Sequence, residues 1–132
     1  FQRFQLIPGM DALENVALPL ALQGVPRAER LERAAAALDA VGLSDRLAHK
    51  PGQLSGGQQQ RVAIARAVVT HPGVVLADEP TAGLDPEAAA DVLALLGRLH
   101  QAGNTVVLIT HDRAAAAQAQ RRLYLKNGEL SG

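Results

Sequence analysis

Two adjacent glycines follow a serine in the stretch LSGGQQQRVAIARA, Leu54–Ala67, and a helical pattern begins directly after them. Backbone N–H groups in the first turn of a helix have no partner inside the helix and lie at the positive end of its dipole, so they favour a bound phosphate. The common phosphate loop, G-x-x-x-x-G-K-[S/T], also needs a lysine after its glycine. The only lysines here, Lys50 and Lys126, do not follow a glycine. The stretch therefore predicts a phosphate cradle without a lysine of its own.

A pair of carboxylates follows the apolar run of VVLADEP, Val74–Pro80. Asp78 leaves the carboxyl end of a predicted strand, which is where α/β proteins place ligands, and a carboxylate there suits Mg²⁺ beside nucleotide phosphates. Glu79 is next to it and could position or deprotonate an attacking water. A solvated acidic loop after a strand would explain the same two residues.

A histidine follows the next predicted strand, in the sequence THD, Thr110–Asp112. The imidazole of His111 could contact a terminal phosphate or stabilise charge in a transition state. A loop or packing histidine is the alternative explanation, and the residue alone does not decide between the two.

The composition limits the kind of protein. The chain has 132 residues, 13 basic and 13 acidic side chains, 48% hydrophobic residues and no cysteine. These values allow one modest domain with a core and exclude a disulfide framework or a thiolate metal site. The balanced charge gives no sign of a nucleic-acid partner, and the apolar runs are too short to span a bilayer. The absence of cysteine fits the cytoplasm.

The first seventy residues carry the start and stop signals of three helices. A capping box at positions 11–14 predicts a short first helix that stops at Pro19. Pro26 suits the first position of a second helix, which has an apolar stripe along one side. Ser55 caps a third helix, which should run to about Thr70.

Short apolar runs alternate with helical patterns in the second half of the chain. Val74–Asp78 and Thr105–Thr110 are predicted to be buried parallel strands, and Asp85 caps the helix between them. Asp112 caps an alanine-rich helix, and Asn127-Gly128 is a strong hairpin signal. This alternation predicts an α/β fold with a parallel sheet and right-handed crossovers.

The order of these motifs resembles the C-terminal part of an ATP-binding-cassette (ABC) nucleotide-binding domain, from Phe1 to about Gly128. LSGGQQQRVAIARA resembles the family signature, VVLADEP the Walker B strand, TAGLDP the D-loop and ITHD the switch histidine. FQRFQLIPGMDALENVALPL resembles the segment that opens with the Q-loop glutamine, and it is most similar to the lipoprotein-releasing and macrolide-export type. The resemblance thus covers nearly the whole chain.

The resemblance implies a partial P-loop NTPase core, with a parallel sheet in three-layer packing, joined to the helical signature subdomain. Residues 1–132 would form one partial ATP-binding domain, with the helical subdomain at about 10–72 and the Walker B, D-loop and switch-histidine part at about 73–132. The Walker A motif of the family lies upstream of the Q-loop and is not among these residues. We therefore expect the chain alone neither to bind ATP tightly nor to hydrolyse it, and its sheet to expose apolar edges.

The signature residues are implied to act on a partner. In the family, two domains dimerise head to tail, and each signature loop closes on ATP bound to the partner's Walker A. Ser55, Gly56 and Gly57 would then contact the γ-phosphate in trans, with Gln58 supporting them. Asp85 would order the dimer interface. This explains a phosphate cradle without a lysine, because the other domain provides it.

The remaining candidate residues are implied to act on the nucleotide of their own domain. Asp78 would assist Mg²⁺, and Glu79 would be the general base. His111 would touch the γ-phosphate. Gln2 would contact both Mg²⁺ and the attacking water.

The resemblance also implies partners and a location. ATP and Mg²⁺ would be the ligands, and a second ABC ATPase domain and a membrane permease would be the partners, with no nucleic acid. The parent protein would be a transport ATPase, cytoplasmic and peripheral to the cytoplasmic face of the membrane. Two alternatives remain: a soluble ABC ATPase of DNA repair or translation, and an inactive truncated product that serves only as a dimerisation partner.

Overall fold

The computed structural model of the protein describes residues 5–132, so Gln2 lies outside the described residues. Its first half is helical and its second half alternates strands with helices. The helices are α1 (Ala12–Leu22), α2 (Arg27–Ala40), α3 (Gly56–Val68), α4 (Pro86–Gln101) and the single turn α5 (Arg113–Ala116), with a 3₁₀ turn at Pro51–Gln53. The strands are β1 (Val74–Asp78), β2 (Thr105–Ile109), β3 (Tyr124–Lys126) and β4 (Glu129–Ser131).

Helix α1 begins with the predicted capping box. The Glu14 N–H donates to Asp11 Oδ1 at 2.8 Å, and the Asp11 N–H donates to Glu14 Oε1 at 3.3 Å. The predicted stop at Pro19 is wrong, because the helix continues to Leu22 with Pro19 inside it. A proline inside a helix costs about 3 kcal/mol, but Leu20, the residue directly after it, is completely buried. Its packing favours the continued helix.

The core of the helical half lies where α1 packs against α2 and α3. Val16, Leu20, Leu38 and Val62 are completely buried there. Each such side chain stabilises the fold by about 1.5–3 kcal/mol relative to leaving it exposed. A polar tie adds to this packing, because Arg33 Nη2 on α2 donates to the Val69 carbonyl at the end of α3 at 3.1 Å.

Strands β1 and β2 pair in parallel, with Val74 opposite Thr105 and Asp78 opposite Ile109. Helix α4 connects them and contacts both α3 and β2. Its buried side chains, Val92, Leu95 and Leu96, share one core cluster with the helical half. The register places the carboxyl ends of the two strands side by side.

Only one face of this sheet is covered by the described residues. On the other face Val74 is 53% exposed, Leu76 71%, Val107 41% and Ile109 50%. The prediction of buried strands is therefore wrong for residues 5–132, since side chains along a strand alternate between faces and nothing described packs on the second one. The hairpin of β3 and β4 forms as predicted, with left-handed backbone at Asn127 and Gly128.

Candidate functional site

Glu79, Thr110 and His111 meet where the two parallel strands end. Glu79 directly follows β1, and Thr110 and His111 directly follow β2. Because Asp78 is opposite Ile109 in the register, the residues after them are neighbours in space although they are more than thirty positions apart in sequence. This is the edge of a parallel sheet at which ligands bind in α/β proteins.

The Glu79 carboxylate accepts three hydrogen bonds from the end of β2. The His111 backbone N–H donates to Oε1 at 2.9 Å, and His111 Nδ1 lies 2.6 Å from the same oxygen. Thr110 Oγ1 donates to Oε2 at 3.1 Å. Thr110 is a site residue that the sequence reasoning missed, and its place immediately before His111 was the only signal for it.

The backbone at Glu79 has an unusual conformation that aims its side chain across the sheet edge. Its φ is 47°, in the left-handed region that non-glycine residues rarely adopt. Such a conformation costs about 1–3 kcal/mol. Its N–H donates to the Ile109 carbonyl at 2.7 Å, so the turn is held against β2. The carboxylate therefore points to His111 rather than along the course of β1.

These contacts keep Glu79 ionised. Burial acts to raise the pKa of its carboxyl, but the hydrogen bonds from His111 and Thr110 and the nearby imidazole outweigh it, so the pKa is lowered. An ionised carboxylate only accepts hydrogen bonds, so the proton on the short His111 contact is carried by Nδ1. The His111 ring is 91% exposed and its other nitrogen is accessible.

The lowered pKa of Glu79 predicts an acid-dependent loss of stability. A carboxyl with a depressed pKa in the folded state stabilises the fold above its unfolded value of about 4.3, and that contribution is lost as the pH falls through the folded value. We expect Glu79→Gln to be less stable than the unmodified chain near pH 6 and to lose less stability on acidification. Urea denaturation from pH 3 to 6 measures this, with the exposed carboxylate Glu87→Gln as control. Parallel pH profiles for both variants would contradict it.

Asp78 is exposed at the end of β1, and no hydrogen bond to its side-chain carboxylate is found within residues 5–132. In the same part of the chain, no group of three or more histidine, aspartate or glutamate side chains is arranged to hold a metal ion. One carboxylate still fits Mg²⁺, which commonly takes one or two protein carboxylates together with phosphate oxygens and waters.

The start of α3 has the form predicted for a phosphate cradle. The Gln58 N–H donates to Ser55 Oγ at 3.1 Å, and the Ser55 N–H donates to Gln58 Oε1 at 2.9 Å. This capping box leaves the N–H groups of Gly56 and Gly57 without an acceptor in the described chain. Two donors at the positive end of a helix dipole are thus available to an anion.

The two glycines have a second role, which the sequence reasoning missed. A Cβ on Gly57 would lie 3.0 Å from the Ala88 Cβ and 3.8 Å from its Cα, and a Cβ on Gly56 would lie 3.2 Å from Leu84 Cδ2. The glycines therefore allow the start of α3 to pack closely against the start of α4. Nothing in the local spacing could indicate this contact, because Ala88 is distant in sequence.

Asp85 caps α4 beside the signature loop, and its Oδ1 accepts from the Ala88 N–H at 2.8 Å. The starts of α3 and α4 together enclose a polar pocket of about 170 Å³. Its lining consists of Ser55, Gly57, Gln58, Arg61, Asp85, Glu87, Ala88 and Asp91. The structure thus brings the predicted signature and D-loop residues together.

The candidate residues form two groups. One contains Glu79, with Thr110 and His111, and the other contains the signature loop with Asp85. No hydrogen bond within residues 5–132 joins the two groups, which are connected through the loop from 79 to 85. The predicted role of Gln2 falls outside the described residues.

The chain belongs to the ABC transporter family, because the family's sequence profile matches residues 1–82. It is 55% identical over 130 residues to the macrolide export ATP-binding/permease protein MacB of Rhodospirillum rubrum. It is 50% identical over the same length to the uncharacterized ABC transporter ATP-binding protein YvrO of Bacillus subtilis. Each match covers 98% of this chain, but only 20% of MacB and 57% of YvrO. The chain thus spans from a fifth to about three-fifths of these relatives.

Solved structures agree with the family assignment. The ATP-binding cassette MJ0796, in a dimeric post-hydrolysis state bound to ADP and Pi, matches the whole chain with a TM-score of 0.82 and 47% sequence identity. The match covers 59% of that cassette, and a second dimeric structure of MJ0796 gives the same values. The described residues therefore have the partial P-loop NTPase fold that the sequence predicts.

Proposed function

We propose that this chain forms part of an ATP-hydrolysing ABC cassette that drives transport through a membrane permease. The observation that carries the proposal is the Glu79 cluster: an ionised carboxylate held by Thr110 and His111 at the ligand-binding edge of the sheet. Carboxylates in this position suit the activation of water near a metal-bound phosphate. The family membership and the ADP and Pi in the related cassette support ATP as the substrate.

Glu79 would act as the general base. Its carboxylate is ionised and its orientation is set by three hydrogen bonds, so it can accept a proton from the attacking water without first moving. His111 uses Nδ1 to hold Glu79, which leaves its exposed ring edge to face the γ-phosphate. A doubly protonated ring would donate to that phosphate from Nε2.

Asp78, with Gln2, would hold Mg²⁺. The exposed Asp78 carboxylate is next to the base in sequence and at the same sheet edge. When bound, Mg²⁺ would neutralise charge on the phosphate oxygens.

The signature loop would bind the ATP of a second cassette domain in trans. The Gly56 and Gly57 N–H groups and the Ser55 hydroxyl would contact the γ-phosphate, with Gln58 holding Ser55 in place. The lysine and the rest of the phosphate loop would come from the partner domain. Asp85 would order the interface from its position beside Ser55 in the polar pocket.

The name of one relative supports a membrane permease as the partner. MacB is named as an ATP-binding/permease protein, which favours transport over the alternatives of DNA repair or translation. No helix within residues 5–132 is long and apolar enough to cross a membrane. We place the cassette at the cytoplasmic face of a membrane, with the helical subdomain at about 10–72 and the catalytic part at about 73–132.

The trans role predicts that the chain pairs with an intact cassette in the presence of ATP. We expect the fluorescently labelled chain to sediment with MJ0796 in MgATP and not in buffer alone, and to show no ATPase activity by itself. Gly56→Asp should weaken this pairing about tenfold or more, because its carboxylate repels the phosphate. A Cβ at Gly56 lies 3.2 Å from the end of the flexible Leu84 side chain, which can move aside, and an aspartate suits the first helical turn, so the variant should remain folded.

Gly52→Asp is the matched control, because a Cβ at Gly52 meets nothing within 4 Å and the residue lies outside the cradle. It should pair like the unmodified chain. Pairing that does not depend on ATP, or that is equal for both variants, would contradict the trans role. ATP hydrolysis by the purified chain would contradict its expected inactivity alone.

A further inference from the structure

The segment of residues 5–11, which leads into α1, is held by side chains from two different helices. Asn15 comes from α1 and Arg66 from α3. Neither residue belongs to the Glu79 group or to the group formed by the signature loop and Asp85. Both contact the backbone of the segment, so the contacts constrain its path through space rather than its side chains.

Asn15 is completely buried, and its side-chain amide bonds to backbone groups in the way that the edge of a β-strand does. Its Oδ1 accepts from the Ile7 N–H at 2.8 Å, and its Nδ2 lies 3.2 Å from the Ile7 carbonyl. The same Nδ2 contacts the Met10 and Asp11 carbonyls at 3.1 and 3.0 Å. A buried amide is costly unless it is satisfied, and here Oδ1 accepts one hydrogen bond while the two N–H donors of Nδ2 are shared among three carbonyls.

Arg66 contacts the segment at a point two residues before Ile7. Its Nη1 donates to the Gln5 carbonyl at 3.1 Å, across 61 positions of sequence. Gln5 has a φ of 47°, so the carbonyl reaches Arg66 from a left-handed turn. Arg66 lies near the C-terminal end of α3, the helix that begins with the signature glycines.

The segment makes no hydrogen bond to β1 or β2 in the part of the chain that the structure describes. Its described hydrogen bonds are internal or go to α1 and α3. Residues 5–11 are therefore attached to the helical half of the chain and not to the strands that carry Glu79 and His111.

We propose that Asn15 and Arg66 are positioning residues that join residues 5–11 to α1 and α3 as one rigid body. The consequence of this tie for ATP hydrolysis rests on the proposed function, in which Gln2 helps to hold Mg²⁺ and α3 carries the signature loop. The backbone three residues after Gln2 is then tied to the signature helix. A displacement of this segment is therefore transmitted to α3, and a displacement of α3 to the segment.

The absence of native cysteine allows a direct test with two spin labels. One label is placed at Gly9→Cys, where a Cβ meets nothing within 4 Å, and the other at Ala67→Cys, which is exposed on α3. We expect a narrow distance distribution between the labels in the otherwise unmodified chain. Asn15→Leu and Arg66→Met should broaden it, and in Asn15→Leu the Ile7 amide should exchange about tenfold faster or more.

Two further variants separate positioning from general stability. Arg33→Met is the matched control, because Arg33 makes the same kind of guanidinium-to-carbonyl bond, to Val69, without contacting the segment. Arg33→Met should lower the free energy of unfolding but leave the distance distribution between the two labels narrow. Arg66→Lys keeps one donor within reach of the Gln5 carbonyl and should restore most of the narrow distribution.

A distribution that stays narrow in Arg66→Met, or that broadens equally in Arg33→Met, would overturn the inference. These measurements use the chain without nucleotide, so they do not depend on ATP-dependent pairing. If the Asn15 and Arg66 variants had a broadened distance distribution but paired normally with MJ0796 in MgATP, only the positioning role would be refuted. If the unmodified chain had a narrow distribution but did not pair, only the proposed function would be refuted.

Discussion

Glu79→Gln is expected to lower ATP hydrolysis by about 10²–10⁴-fold, the usual contribution of a general base. The measurement needs a complete phosphate site, which a chimaera provides. In it, this chain replaces the 59% of the MJ0796 cassette that it matches. The amide keeps the size of the carboxylate, and its oxygen can still accept from His111 while its N–H group can donate to Thr110 Oγ1, but it cannot take a proton from water. ATP binding should therefore be retained while turnover is lost.

Two companion variants make this expectation specific to the cluster. Thr110→Val removes one of the three hydrogen bonds on the Glu79 carboxylate and should cost about tenfold, because the base remains but is less well oriented. Glu32→Gln removes an exposed carboxylate from α2, away from both groups of candidate residues, and should be close to wild type. If Glu79→Gln turned over ATP as fast as Glu32→Gln, Glu79 would not be the base.

Gly57→Ala is expected to destabilise the chain by about 1–3 kcal/mol, the usual cost of overpacking. An added Cβ would lie 3.0 Å from the Ala88 Cβ, on the first turn of α4, with the Ala88 backbone directly behind it. The starts of α3 and α4 must then separate, which also displaces Ser55 from Asp85. Urea denaturation of the chain measures the loss of stability, and the pairing assay with MJ0796 measures the loss of the cradle.

A second substitution tests the steric cause. Ala88→Gly removes the atom that the new Cβ meets, so the double variant Gly57→Ala with Ala88→Gly should recover part of the lost stability. Gly97→Ala is the comparison, because this glycine lies inside α4 with nothing within 4 Å of its Cβ. There we expect a gain of about 0.5–1 kcal/mol from helix propensity. Equal effects at both glycines would show that packing against α4 is not the reason for Gly57.

The sequence predicted local features well, because each depends on residues a few positions apart. The caps at Asp11, Ser55 and Asp85 form as expected, since each side chain accepts from the N–H of the third residue of its own helix. Pro19 shows where local rules failed. Its intrinsic cost was correctly recognised, but the burial of the adjacent Leu20 depends on packing against α2 and α3 and could not be predicted from the neighbouring residues.

By itself, the sequence determined the family, the order of helices and strands, and the placement of Glu79 and His111 at strand ends. Only the tertiary structure decided which of these residues meet. Thr110 reaches Glu79 because two distant strands share a register, and Gly57 faces Ala88 because two helix starts pack together. Such contacts depend on the packing of whole elements over long sequence separations, whereas caps and strand patterns are set within one element.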